Sequence, residues 1–562
     1  MEPSNPLALI AVGLIALTAA LATAAALVER LRALDPIARR EALVTSVALF
    51  AVAFLARWST APHTLVHENH HAYDYVATAG LPLAEAALLH GVPSTHRLLA
   101  ALTHRALSGA HDPVFALDVT LSALGVPAIF WLAARSFGGR LAGVAAASLL
   151  MFQPHALFLA PTEESLNLVV AAAIAGMALL QTGVAEASRP SLVAGCALVA
   201  VAATAREITL PLAALAPLAL LSARRPPRLP WWAPLAACAA LGVALAPQLF
   251  AILAARSAHA ESSALVSMPH LPFPGDVGSP ILRDRVLNRY WVGWVEPYIP
   301  FWMGAAMCAS WAVLSLRCLV RRDLHLACVG LLAPVVAVAQ GGLTANGWFP
   351  SGLRHELFAM ALCLLPVAWL YAAAARRLPP RLLPAAWLLA PAAALIAADR
   401  GGFADAAPLP MAMEYRFVRA ALASMRPGDR FVVLTGPDIH HIPARWVTTV
   451  RPDVRPIPAE ALAAGAGAGS GGPIWLVTDR VCALDRECFR NPSLCGSSGY
   501  EAPRPLGEVV NEECAAALRA RPWRLVRSAR TCAPSPGHYP QPYDLPPRRR
   551  CATLGLYRWS AD

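Results

Sequence analysis

The chain of 562 residues contains no lysine and little charge of either sign. Charged residues make up 14% of it, where a soluble globular domain carries roughly 25%. That shortfall excludes an ordinary soluble protein. With lysine absent, every basic residue is Arg, which beside the high alanine content points to genome composition more than to function. A formal charge of +11 would ordinarily raise nucleic acid as a partner. Here many arginines lie in short gaps between apolar runs and others are scattered through 399–562, so no nucleic-acid partner is expected. No glycine-rich phosphate loop follows either apparent strand of the C-terminal part, which removes support for a nucleotide site. No cleavable signal peptide is expected, because the first apolar run, 6–28, lacks a positive start and is long enough to remain as a span. No clear internal repeat is visible, which weighs against a carrier built from two halves.

What the chain has instead is apolar length. Hydrophobic residues make up 57%, and the mean hydropathy is +0.50. Runs long enough to approach a span of about 20 residues lie near 6–28, 42–58, 113–134, 140–158, 164–183, 190–204, 207–222, 231–253, 299–317, 324–341, 354–373 and 382–398. Every second gap carries Arg: Arg30, Arg32, Arg39 and Arg40, then Arg135 and Arg140, then Arg189. The series continues with Arg224, Arg225 and Arg228, then Arg317, Arg321 and Arg322, then Arg376, Arg377 and Arg381. Arginine-rich gaps mark the cytoplasmic face. The intervening gaps, 59–112, 160–164, 204–207, 254–298 and 341–354, then face outward with everything from 399 to 562. The expectation is a multi-pass α-helical membrane protein of the bacterial inner (cytoplasmic) membrane with about twelve spans. Residues 1–398 form its transmembrane part, 59–112 its first extracytoplasmic loop, and 399–562 a small periplasmic α/β domain.

The C-terminal part supports this sidedness. Cys482, Cys488, Cys495, Cys514, Cys532 and Cys551 are an even set without a paired C-x-x-C, which fits disulfides in an oxidising compartment and leaves their connectivity open. Residues 413–425 and 513–520 read as helices, 430–435, 473–478 and 554–559 as strands, and 463–472 as a Gly/Ala/Ser loop.

Ionisable residues gather in the outward gaps. The first holds His67, Glu68, Asn69, His70, His71, Tyr73 and Asp74. The second holds Glu163 and Glu164, a double carboxylate at the bilayer edge that invites a functional reading. Arg206 and Glu207 interrupt two apolar runs, and an ion pair made for structure is the plainer account of them. Arg354, His355 and Glu356 head another run, where Arg can bind phosphate bidentately or simply anchor the interface.

In this order the chain resembles the GT-C class of integral-membrane glycosyltransferases. It is most similar to bacterial polyprenyl-phosphate-sugar enzymes of the protein O-mannosyltransferase and aminoarabinose transferase kind. The resemblance covers roughly residues 40–400 in plan, through short, loose motifs. It implies Glu68 as catalytic base, with His67 standing where the family has Asp and Tyr73 displaced from the usual Tyr. It implies Glu163 or Glu164 as the second acid, and Arg206 and Arg354 beside the lipid phosphate. His67, His71, Tyr73 and His355 complete the expected substrate-binding set. The implied reaction moves a sugar from a polyprenyl-phosphate donor in the bilayer to an extracytoplasmic glycan, lipid or protein acceptor, with inversion. No cofactor is required, and a divalent metal is optional.

Two other classes compete. His67, Glu68 and His71 fit H-E-x-x-H, the zinc-protease signature, with Glu85 as the nearest third ligand. Against this, the intervening Asn69 and His70 are polar. A transporter or non-catalytic scaffold would place its ionisable residues near the bilayer midplane, whereas here they gather at one face.

Overall fold

The structure is a computed structural model. It describes residues 6–60, 75–89, 92–107, 113–153, 156–157, 160, 165–222, 232–260, 301–323, 327–329, 357–400, 410–433, 442–458, 461, 472–478, 521–534 and 549–559.

Two long apolar helices open the chain, α1 (Pro6–Ala33) and α2 (Pro36–Thr60). Asp35 starts the second by accepting the backbone N–H groups of Ile37 and Ala38 at 3.0 and 2.9 Å. The first long gap holds the helical turn α3 (Leu83–Ala86), two-residue strands β1 (Leu88–Leu89) and β2 (Val92–Pro93), and helix α4 (Thr95–Ala106). Then come α5 (Pro113–Phe137), α6 (Arg140–Met151), α7 (Leu166–Glu186), α8 (Arg189–Ala203), a 3-10 helix (Glu207–Ala214), α9 (Leu215–Ser222) and α10 (Ala233–Ala260). Helices α11 (Phe301–Arg321), α12 (Leu357–Ala375) and α13 (Leu383–Arg400) complete this part.

Among the described residues, 5 helices are long and apolar enough to cross a membrane: α1, α2, α5, α7 and α10. The expected spans 140–158 and 190–204 are shorter, as α6 and α8 have 12 and 15 residues. Helix α6 ends early because the guanidinium of Arg57 takes the carbonyls of Leu150 and Met151. The run 207–222 is split because its first half is the 3-10 helix. Most of the run 324–341 lies outside the described residues.

Helix α7 is buried along nearly its whole length and packs against α5, α8 and α9. Its contact with α8 is close because glycines face it. A Cβ on Gly195 would stand 2.6 Å from Leu180 Cγ, and one on Gly183 2.6 Å from Leu192 Cγ. Small residues allow such approach where lipid supplies no hydrophobic drive between helices. The outer helices α1, α2, α10 and α11 expose large apolar side chains instead, among them Leu14, Leu55, Val243 and Leu319. A soluble monomer does not leave that much apolar surface open.

The arginine gaps meet at one end of the bundle. Glu186 accepts from Arg30 at 3.4 Å and from Arg135 at 2.8 Å. Arg140 pairs with Glu41 at 2.8 Å, Ser188 donates to Glu29 at 3.0 Å, and Arg376 donates to the carbonyl of Phe137 at 2.9 Å. Only the gap with Arg224, Arg225 and Arg228 lies outside the described residues.

The C-terminal part holds α14 (Pro410–Ser424), β3 (Arg430–Val433), α15 (Ala444–Val450), β4 (Arg455–Pro458), β5 (Ile474–Thr478), β6 (Arg524–Pro534) and β7 (Arg549–Trp559). The sheet order is β4-β3-β5-β7-β6, parallel across its first three strands and antiparallel across the rest. All four residues of β3 are buried, as expected for a strand covered on both faces. The register sets Cys532 opposite Cys551. Cys482, Cys488, Cys495 and Cys514 lie outside the described residues, as does the expected helix 513–520.

This sheet and its helices share one apolar core with the first long gap. Tyr75, Val76, Ala77 and Phe115 pack with Tyr415, Val418, Phe431 and Trp446. Phe115 and Tyr415 meet edge to face at 5.8 Å between ring centroids.

Candidate functional site

The end of the bundle away from the Glu186 and Arg376 contacts holds the described candidates. Of the expected site residues, His67, Glu68, His71, Tyr73, Glu163, Glu164, Arg354 and His355 lie outside the described residues. The described residues that bracket them belong to this end: Arg57 and Tyr75, Ala160 and Ser165, and Leu357 at the start of α12. Arg206 and Glu85 are described.

Arg206 sits at a true break. Helix α8 stops at Ala203, where the hydroxyl of Thr204 turns back to the carbonyl of Ala200 at 2.8 Å. Arg206 is extended (φ −155°) and caps the 3-10 helix, with its N–H donating to Thr209 Oγ1 at 3.1 Å. The first gap clamps this break. Ser94 Oγ donates to the carbonyl of Ala205 at 2.6 Å, the Thr95 N–H to that of Thr204 at 3.0 Å, and Thr95 Oγ1 to that of Val201 at 2.9 Å. Gln248 of α10 donates to the carbonyl of Pro93 at 2.6 Å, tying the same segment to a third element. Arg206 is therefore held beside the N-terminus of α4.

Glu85 is exposed on the helical turn α3. Among the described residues no three His, Cys, Asp or Glu side chains come together to hold a metal. The alternative zinc set His67, His71 and Glu85 rests on two residues outside the described ones.

Two charged centres escaped the sequence reading. Asp118 lies in the first turns of α5 and is 0% exposed. It accepts the Tyr75 hydroxyl at 3.0 Å and His96 Nε2 at 2.8 Å. The Tyr75 and His96 rings stack at 5.6 Å, and the Arg97 guanidinium lies 4.8 Å from the Tyr75 ring centroid. A buried carboxylate needs such partners. The cluster ties Tyr75 and His96, at two points of the first gap, to the helix that follows it.

Arg57 is the second, also 0% exposed. Its Nε donates to Ser122 Oγ at 2.8 Å, and its terminal nitrogens donate to the carbonyls of Ala53, Leu150 and Met151 at 3.3 Å. It thereby caps the C-terminal end of α6. Just beyond, both amide atoms of buried Gln153 lack a partner among the described residues. The available signal was a single ionisable residue inside an apolar run, Asp118 within 113–134 and Arg57 within 42–58.

No family model matches the chain, and no curated protein matches it. Among solved structures it is similar to ArnT from Cupriavidus metallidurans bound to undecaprenyl phosphate, at 14% identity and a TM-score of 0.45, over 79% of this chain and 94% of that one. The apo form of that protein gives 13% identity and a TM-score of 0.47, over 92% and 98%. The oligosaccharyltransferase of Archaeoglobus fulgidus in complex with zinc and sulfate gives 12% and 0.46, over 74% and 62%. These are GT-C glycosyltransferases, the class that the sequence resembles. At such identities, and with TM-scores below 0.5, no residue role and no activity is carried over from them.

Proposed function

We propose that this chain is a membrane-embedded glycosyltransferase that moves a sugar from a polyprenyl-phosphate carrier to an acceptor outside the cytoplasm. One observation carries the reading. The return of the first long gap (Tyr75 to Ala79) and the C-terminal sheet share a single core at one end of the bundle, while the short arginine gaps between helices are bonded together at the other. By the positive-inside rule the second end is cytoplasmic, so the acids of the first gap and the C-terminal part face outward together. On this reading residues 1–398 are the membrane part and 399–562 an outward domain, in the inner membrane of a bacterium.

In the proposed reaction Glu68 takes the proton of an acceptor hydroxyl. The acceptor oxygen attacks the anomeric carbon as its bond to the phosphate oxygen breaks, inverting that centre. Arg206, Arg354 and His355 balance the charge left on the lipid phosphate. Glu163 and Glu164 supply the second acidic position, and His67, His71 and Tyr73 line the sugar. The Tyr75–His96–Asp118 cluster and the Ser94–Thr95 clamp hold these stretches in place. No cofactor is required by this scheme, and the histidines leave room for a divalent metal.

The test uses the full chain in native membranes with a panel of labelled polyprenyl-phosphate sugars. Transfer of label by the wild type and its loss in Glu68→Gln support the reading. Peptide cleavage with zinc retained by the wild type and lost in His67→Ala overturns it in favour of a metalloprotease. Solute movement without a covalent product overturns it in favour of a carrier.

A further inference from the structure

At the arginine-rich end a cavity of about 670 Å³ opens between the C-terminal ends of α5, α7, α11 and α12. Five guanidiniums line it, those of Arg135, Arg317, Arg321, Arg376 and Arg377, with Asp323 as the single carboxylate among its lining residues. Arg135 is already engaged by Glu186 at 2.8 Å. The other four still outweigh Asp323 together with the roughly half-unit of negative charge at each of four helix ends. Helix-end neutralisation alone would need no hollow, yet the arginines line one that is half open.

The cavity is also built for a polar group. Gln181 lines it while being only 3% exposed, and its Oε1 accepts from Ser136 Oγ at 3.2 Å. Arg317 lies 5.6 Å from the Trp369 ring centroid, and Arg376 is tied to the carbonyl of Phe137. Two of the guanidiniums are thus held in place before any ligand arrives. On α11, Arg317 and Arg321 fall one turn apart on one face. Leu316, Leu319 and Val320 stand on the adjoining faces and are widely exposed. An anion in the cavity would have an apolar, lipid-facing slope next to it.

We propose that this cavity binds the phosphate headgroup of an anionic phospholipid, with its acyl chains along Leu316, Leu319 and Val320. Basic pockets between membrane helices hold such headgroups. The apolar slope favours a lipid over a soluble phosphate. This inference does not depend on the transferase reading.

The test is native mass spectrometry of the full chain, purified in detergent and supplied with phosphatidylglycerol or phosphatidylcholine. The wild type is expected to retain phosphatidylglycerol selectively. The double variant Arg317→Gln/Arg321→Gln is expected to lose that retention by roughly 10- to 30-fold. Arg317→Lys/Arg321→Lys keeps the charge that sets topology, and is expected to hold the lipid at an intermediate level because the planar fork is gone. Equal retention of both lipids by the wild type overturns the proposal without any variant. Displacement of the lipid by millimolar inorganic phosphate would make the site one for soluble phosphates and overturn it as well.

Discussion

The hydroxyl of Tyr75 donates to the carboxylate of Asp118 at 3.0 Å, across 43 positions of sequence. That bond closes the first long gap, because Tyr75 follows the stretch with Glu68 and Asp118 lies on the helix that ends the gap. His96 completes the closure from within the gap.

Removing the carboxylate takes a shared acceptor from two buried groups, the Tyr75 hydroxyl and His96 Nε2. Asp118→Ala is expected to cost about 1–3 kcal/mol of stability, and Tyr75→Phe about 1 kcal/mol. Thermal unfolding of the detergent-purified protein checks both. If the proposed reaction holds, transfer also falls in Asp118→Ala, with KM and kcat both affected because a whole segment is released.

Arg57 makes a second prediction. Arg57→Met removes the donors serving three backbone carbonyls and Ser122, at an expected cost of roughly 3 kcal/mol. Arg57→Lys recovers only part of this, since a single ammonium cannot reach four acceptors in different directions. Limited proteolysis near residues 151–165 reads the loosened end of α6, and wild-type resistance in Arg57→Met would refute the capping role.

Sidedness can be tested by labelling. A Cβ on Gly80 would stand 3.0 Å from Thr449 Cγ2, so cysteines placed at Gly80 and Thr449 together are expected to cross-link on oxidation, and each placed singly is expected to react with an impermeant maleimide from one side. Cysteines at Glu41 and Arg140, an exposed pair 2.8 Å apart, should react only from the other. Labelling of all four from the same side would remove the basis of the proposed function.

The strand register makes a covalent prediction. Cys532 and Cys551 oppose each other on β6 and β7, at a backbone spacing that antiparallel partners share with disulfides. A linked peptide pair is expected in a non-reducing digest of protein exported with an intact oxidising pathway. Cys551→Ser should then lower stability by about 3 kcal/mol. Two alkylated, unlinked peptides would refute the pairing.

The large plan was legible because it depends on local composition. Arginine spacing identified which gaps meet at one end, and Thr204 with Arg206 betrayed the break after α8. Strand β5 lies within a residue of its expected position, since a short apolar run between turn residues is a local signal. The long antiparallel pair β6 and β7 was not anticipated beyond its last residues, because pairing across the chain leaves little local trace. Asp118 and Arg57 were passed over because they are single charges within apolar runs, and their partners come from distant helices. Most expected site residues lie outside the described residues, and Glu68→Gln tests the role assigned to the first acid among them.

Ser94 and Thr95 grip the break after α8 chiefly through main-chain carbonyls, with the Thr204 hydroxyl adding a longer bond to Thr95 Oγ1 at 3.4 Å. Evolution can therefore exchange the side chains of Val201 and Ala205 without slackening that grip, provided the carbonyls stay put. The burden of inheritance falls on the two hydroxyls, whose replacement would leave these two residues only the Thr95 N–H to hold the break.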